Sequence, residues 1–109
     1  MNITVEVNEN EKDIHVYVSG EIDVYTAPKL KEKMLPLSEK EEVVLIVDLT
    51  SVSYMDSTGL GVIVGVFKSV RKHNGHFQLK GLSDRLTKLF KITGLADIMD
   101  ISVIEGEAK

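Results

Sequence analysis

The first part of the chain alternates between apolar and polar positions. Apolar residues occupy every second position of two short runs, 3–7 and 14–18, and polar residues fill the positions between them. A period of two is typical of a strand with one buried face. Because only a short polar turn separates the two runs, the pattern predicts a β-hairpin whose second strand ends at Gly20.

A nearly unbroken apolar run follows at Val43–Leu49, and its length and composition are typical of a buried strand. Beyond it, apolar residues recur at helical spacing from Leu60 to about Lys72. The segment 53–61 is therefore predicted to be the crossing from a buried strand to a helix. Ser57 falls at or next to the N-cap of that helix, where a hydroxyl can bond the first free amides.

Two other helices are predicted on either side of this crossing. Thr26 is a suitable N-cap for the first, and Pro28 falls within its first turn. Pro36 should kink this helix, which then continues for one more turn to about Lys40. Ser83 is predicted to cap the last helix, which Gly94 closes.

The remaining segments are short. The helix after Ser57 should stop at 73–75, with Gly75 as a left-handed C-cap, and a strand should follow around Phe77 and Leu79. A short helix at 95–99, an edge strand at 101–104 and a frayed tail at 105–109 complete the chain. The order β-β-α-β-α-β-α predicts a single α/β domain over residues 1–109, with a small mixed sheet of about four or five strands and three or four helices.

Composition narrows the function classes. The 109 residues carry a formal net charge of −4 at pH 7, which argues against a nucleic-acid-binding protein, since such proteins need a basic surface. The absence of cysteine excludes disulfides and thiolate metal sites and fits a cytoplasmic protein. We expect neither a signal peptide nor a membrane-spanning segment. The spacing of the three histidines supports no metal site or catalytic triad, so no metal, cofactor or enzymatic activity is predicted.

The helix after Ser57 carries an unusual outward face. With Leu60 at the centre of the core side, steps of about 100° per residue place Gly61, Gly65, Val62 and Ser69 on the opposite side. Each glycine in a helix interior costs about 1 kcal/mol relative to alanine, so these positions need a reason. A small, partly apolar face lets another surface approach closely, which predicts a protein-docking face with the Ser57 hydroxyl at its tip.

Two enzyme-like alternatives fit the same segment poorly. Gly59, Gly61 and Gly65 miss the dinucleotide-binding fingerprint by one residue, and no lysine follows to make a phosphate loop. A serine hydrolase needs glycine two residues before its nucleophile, and that position is Met55.

The sequence resembles a known family at two motifs and over nearly the whole chain. Gly-Glu-Ile-Asp at 20–23 and Asp-Ser-Thr-Gly-Leu-Gly at 56–61 are similar to STAS domains of the anti-sigma factor antagonist type. Within this family the residues of the two motifs are more similar to the sigma-B stress-response branch than to the sporulation sigma-F branch, which typically has a second serine where Thr58 stands.

The resemblance implies partner switching by a monomeric regulator. An unphosphorylated antagonist binds an anti-sigma factor that is also a serine kinase, and so frees the sigma factor for transcription. The kinase phosphorylates the residue that corresponds to Ser57 and the complex dissociates, while a PP2C-type phosphatase restores the hydroxyl. Thr58 is a possible minor phosphosite. Taken with the docking face, the predicted partner-binding residues are Asp23, Asp56, Thr58, Gly59, Gly61, Val62 and Gly65.

Two other functions stay open at this point. One is a STAS module that binds a nucleotide or another small anion on the amides at Gly59–Gly61, since the dipole of a helix favours anions at its N-terminus. The other is a structural subunit of a larger signalling complex.

Overall fold

The structure is a computed structural model that describes residues 2–102. In chain order its elements are β1 (Ile3–Asn10), β2 (Asp13–Ile22), α1 (Ala27–Ser38), β3 (Val44–Met55), α2 (Ser57–Lys72), β4 (His76–Lys80), α3 (Asp84–Ile92), a 3-10 turn (Leu95–Asp97) and β5 (Asp100–Ser102). The predicted order of strands and helices is confirmed. The predicted tail at 105–109 and the last residues of the predicted edge strand lie outside the described residues.

The strands form one mixed sheet of five strands in the order β1-β2-β3-β4-β5. β1 and β2 are the antiparallel hairpin that the alternating pattern predicts, and the other neighbours pair in parallel. Parallel neighbours need crossover connections, and the general right-handed rule places α1, α2 and α3 on the same face. The carboxyl ends of β2, β3 and β4 consequently meet at one rim of the sheet.

The hydrophobic core lies between this face and the helices. Its fully buried strand residues include Ile14, Val16, Leu45, Val47 and Leu79, and its fully buried helix residues include Leu30, Met34, Ile63, Val70 and Phe90. On the other face of the sheet, Ile46 and Asp48 are only half-buried, and Tyr17 is 40% exposed. The sheet therefore has one covered face and one open face.

Two strands run further than the sequence predicts. β2 does not end at Gly20 but continues to Ile22, and β3 continues to Met55, because the parallel ladder between them extends to the pair Ile22–Met55. Gly20 instead marks an irregularity inside the strand, where the register shifts between Gly20 and Glu21. Its φ of +103° lies in the region that favours glycine.

Helix ends differ from the predictions at three points. Thr26 occupies the N-cap position of α1, but its side chain bonds no helix amide. α1 continues through Pro36 and ends at Ser38, two residues before Lys40. The left-handed residue after α2 is Asn74, with a φ of 62°, rather than Gly75. Gly75 has a packing role instead, since a Cβ atom there would lie 2.5 Å from the carbonyl oxygen of Val43.

The last helix follows its prediction. The Ser83 hydroxyl accepts a hydrogen bond of 3.2 Å from the backbone N–H of Leu86, and Gly94 closes the helix with a φ of +81°. This cap fixes the start of α3 just beyond the end of β4, at the same rim as the start of α2.

Candidate functional site

The crossing from β3 to α2 is built around Asp56. Asp56 is the N-cap of α2, and its Oδ1 atom accepts hydrogen bonds from the backbone N–H groups of Thr58 at 2.9 Å and Gly59 at 3.0 Å. Its negative charge also suits the positive end of the helix dipole. Ser57, predicted to lie at or next to the N-cap, is the residue immediately after it.

Because Asp56 caps α2, the Ser57 hydroxyl is not needed for capping. Ser57 and Thr58 are both exposed at the rim of the sheet. Among residues 2–102, no side chain or backbone group forms a hydrogen bond with the Ser57 hydroxyl. A second protein can therefore reach this oxygen without any rearrangement of the fold.

The loop between β2 and α1 brings a second carboxylate to the same rim. Asp23 is only 4% exposed, and its Oδ1 atom accepts hydrogen bonds from the N–H of Tyr25 at 2.9 Å, the N–H of Thr26 at 3.0 Å and the hydroxyl of Thr26 at 3.2 Å. The Thr26 hydroxyl thus stabilises this loop instead of capping α1. The other carboxylate oxygen of Asp23, Oδ2, is buried and has no partner among the described residues.

These contacts keep Asp23 charged. Burial alone would raise the pKa of this carboxyl, but the hydrogen bonds from the Thr26 and Tyr25 amides and the Thr26 hydroxyl outweigh it and hold the pKa below its ordinary value of 3.8. Asp23 therefore carries a negative charge close below the surface, and its buried Oδ2 atom has no hydrogen-bond partner among the described residues.

Sequence reasoning missed three exposed apolar residues beside these carboxylates. Val24 is 55% exposed, Tyr25 81% and Tyr54 41%. Together with Glu21, Asp23, Ser53 and Asp56 they line a cleft of about 390 Å³, which we call the tyrosine cleft. A sequence signal existed, because two tyrosines stand next to the two polar motifs, but their exposure depends on how the strands end.

The glycine face of α2 borders a second, smaller groove. Gly61 and Gly65 are exposed, and a Cβ atom at either position would have no neighbour within 4 Å. Thr58 and Val62 line the same groove, whose other wall is α1 at Lys31 and Leu35. We call this 210 Å³ space the glycine groove.

Part of the face predicted to point outward is covered by α1. At the far end of the groove the hydroxyl groups of Ser38 and Ser69 form a hydrogen bond of 2.7 Å, so Ser69 faces α1. The accessible part of this face is thus the half nearest Ser57.

Gly59 differs from the other two glycines because it is buried. A Cβ atom there would lie 2.5 Å from the Cγ2 atom and 2.9 Å from the carbonyl oxygen of Ile22. The missing side chain lets α2 begin directly against the end of β2, which brings Ser57 next to the Asp23 loop. Direct contact between Gly59 and a partner stays a prediction.

The same geometry bears on anion binding. The amides of Thr58 and Gly59 are bonded to the Asp56 carboxylate, and the amide of Leu60 is bonded to the Asp56 carbonyl oxygen at 3.0 Å. These three amides therefore already have partners within the chain and are not free to hold a phosphate. Within residues 2–102, no cluster of acidic and histidine side chains is arranged to hold a metal ion, and no helix has the length and apolarity needed to span a membrane.

Comparison with known proteins identifies the family. The sequence profile of the STAS domain matches residues 3–108. The chain belongs to the STAS domain family. The resemblance noted at residues 20–23 and 56–61 is thereby confirmed.

The STAS domain has similar relatives over nearly its full length. An anti-sigma-B factor antagonist from Listeria monocytogenes is 57% identical over 108 residues, which cover 98% of this chain and 95% of that protein. One from Bacillus subtilis is 59% identical over 102 residues, 94% of this chain and 93% of that protein. The crystal structure of an anti-sigma factor antagonist from Mycobacterium paratuberculosis matches 92% of this chain and 85% of its own, with a TM-score of 0.81 at 27% identity.

Proposed function

We propose that this STAS domain is an anti-sigma factor antagonist of the sigma-B stress response and acts by partner switching. Its unphosphorylated form binds an anti-sigma factor that is also a serine kinase, which frees the sigma factor for transcription. Phosphorylation of Ser57 ends this binding, and a PP2C-type serine phosphatase reverses it. Support comes from the similarity to anti-sigma-B factor antagonists and, above all, from the exposed and unbonded hydroxyl of Ser57.

The position of Ser57 suits a kinase substrate better than a catalytic nucleophile. A nucleophilic serine needs an adjacent base within hydrogen-bond reach, and none bonds this hydroxyl among the described residues. A kinase needs only access to the oxygen. The domain therefore serves as a phosphorylatable binding module without catalytic activity of its own.

Electrostatics explains how a phosphate would act as the switch. A phosphoserine adds about −1.5 to −2 charges at neutral pH. The amides of Thr58 and Gly59 at the start of α2 are already bonded to Asp56, so these two are not free to neutralise this charge. The phosphate would stand beside the carboxylates of Asp56 and Asp23, on a surface suited to a neutral hydroxyl. A loss of about 3–4 kcal/mol at the interface weakens binding by roughly two to three orders of magnitude, which is enough for a switch.

The binding surface would combine the two spaces that flank Ser57. The tyrosine cleft supplies exposed aromatic side chains beside the nearly buried, charged carboxylate of Asp23. The glycine groove, with Thr58, Gly61, Val62 and Gly65, supplies a face that permits close approach. Aromatic anchors and close packing around them are the usual energetic centre of a protein interface.

The decisive experiment uses the purified anti-sigma factor and ATP. We expect ATP to release the wild-type domain from the complex, with a single phosphate on Ser57 by mass spectrometry. Ser57→Ala should bind equally well and stay bound when ATP is added, whereas the control Thr58→Ala should be released like the wild type. Release of Ser57→Ala by ATP would rule out Ser57 as the switch. Saturable micromolar binding of ATP or GTP to the isolated domain would favour the nucleotide-binding alternative instead.

A further inference from the structure

A third groove lies on the other side of Met55, between the end of β3 and helix α3. It has a volume of about 510 Å³. Met55, Leu86 and Leu89 give it an apolar lining, which Ile92 extends to the surface, and its charged lining residues are Arg85, Lys88 and Asp84. We call it the α3 groove.

Ile92 gives this groove an apolar edge that faces water. It is 82% exposed, whereas Leu86 and Phe90 on the same helix are buried. A helix face that only meets solvent normally carries charged or polar residues at such a position. An exposed isoleucine continuous with an apolar groove is instead typical of a surface that another protein covers.

The charge of the α3 groove is opposite to that of the chain as a whole. α3 carries Arg85, Lys88 and Lys91 against Asp84, in a chain whose formal net charge is −4. The ion pairs found within residues 2–102 use Lys12, Lys40 and His76, so the three cations of α3 are unpaired there. The tyrosine cleft, by contrast, is lined by carboxylates.

The α3 groove begins at the same strand end as the proposed binding surface. Met55 forms part of its lining, lies two residues before Ser57 and pairs with Ile22, which precedes the Asp23 loop. Tyr54 lines the tyrosine cleft, so two adjacent residues of β3 contribute to spaces on opposite sides of the strand. A stable interface buries about 800 Å² on each partner, more than one small cleft supplies, so neighbouring surfaces must take part.

We propose that the α3 groove binds an acidic segment of the anti-sigma factor in which Asp or Glu residues flank Leu, Ile or Phe side chains. The apolar side chains would enter the groove over Met55, Leu89 and Ile92, and the acidic ones would pair with Arg85 and Lys88. The anti-sigma factor would then hold the domain on both sides of Ser57. This inference rests on the proposed function and extends it with a second contact of opposite charge.

The test measures the affinity of the unphosphorylated full chain for the purified anti-sigma factor by calorimetry at low and high salt. The double variant Arg85→Glu/Lys88→Glu should weaken binding about tenfold or more at low salt, and this loss should shrink at high salt, because salt screens exposed charges. Ile92→Ala should weaken binding roughly three- to tenfold at both salt concentrations, because its contribution is apolar.

The matched control is Lys33→Glu/Lys68→Glu, which changes the net charge by the same amount at exposed positions of α1 and α2. We expect it to change the affinity less than about twofold, and thermal unfolding should show that all variants fold. Equal losses in the α3 variant and the control would overturn the proposal. So would an α3 variant that binds the anti-sigma factor normally but is dephosphorylated slowly, since the groove would then serve the phosphatase. If the wild-type domain itself fails to bind, the proposed function fails too, so the two failures are distinguishable.

Discussion

The backbone N–H of Asp56 donates a hydrogen bond of 3.1 Å to the carbonyl oxygen of Ile22. This bond joins the residue that caps α2 to the residue that precedes the Asp23 loop. The two motifs that are far apart in the sequence are thereby held at one rim, and Ser57 follows directly on this junction. The relative positions of Asp23, Asp56 and Ser57 depend on backbone pairing, not on side-chain packing alone.

The cap of α2 can be tested by removing its carboxylate. Asp56→Ala should lower the free energy of unfolding by about 1 kcal/mol, since two backbone amides lose their acceptor. Asp56→Asn should lower it less, because an amide oxygen can still accept these bonds. Chemical denaturation measures both variants, and equal stability of Asp56→Ala and the wild type would show that the cap contributes nothing.

The two classes of glycine in α2 should respond in opposite ways to alanine. Gly59→Ala should destabilise the fold by about 1–3 kcal/mol, because the new methyl group overlaps Ile22. Gly61→Ala should raise stability by up to about 1 kcal/mol, because its Cβ meets no neighbour and alanine favours the helix. Thermal unfolding compares them. If Gly61→Ala also binds the anti-sigma factor more weakly than the wild type does, the glycine groove is a contact surface and not a requirement of folding.

Asp23 should make the stability of the domain sensitive to acid. Its folded-state pKa lies below the ordinary value of 3.8, so its stabilising contribution is complete above that value and is lost as the pH falls through the folded pKa. Asp23→Asn lacks this titration. The difference in unfolding free energy between wild type and Asp23→Asn should therefore shrink between about pH 5 and about pH 2. A constant difference over this range would show that the charge of Asp23 does not stabilise the fold.

Tyr25 should matter for binding and not for folding. At 81% exposed it contributes little to the core, so Tyr25→Ala should leave the thermal midpoint nearly unchanged. As an aromatic anchor beside Asp23, its loss should weaken binding of the anti-sigma factor by about 2 kcal/mol or more, roughly thirtyfold. Tyr17→Ala, a tyrosine on the open face of the sheet, is the control. A similar affinity for both variants would exclude the tyrosine cleft from the interface.

Local sequence patterns predicted the order of the elements well. The alternation of apolar and polar residues predicts the hairpin, and an apolar run predicts β3. The predicted cap of α3 at Ser83 is confirmed. These features depend on residues close in the chain, so the sequence carries them directly. The position of Ser57 beside the N-cap follows from the same kind of local pattern.

Features that depend on distant residues were missed. The extension of β2 to Ile22 and β3 to Met55 comes from their mutual pairing, which no single-strand pattern contains. Gly75 looked like the residue that turns the chain after α2, but contact with Val43 sets its role, and Asn74 takes the left-handed conformation. The exposure of Tyr25 and the buried, unpartnered oxygen of Asp23 likewise appear only once the loop is folded.

The residue that caps α2 is Asp56, whereas the residue proposed to carry the phosphate is its neighbour Ser57. Serine kinases esterify hydroxyl groups and leave carboxylates unchanged, so under the proposed switch the group that caps the helix would stay the same while its neighbour would alternate between two states. Many cycles of esterification and hydrolysis could then pass without loosening the first helical turn. The residue that holds the helix start in place and the residue proposed to respond to the kinase are thus adjacent but separate.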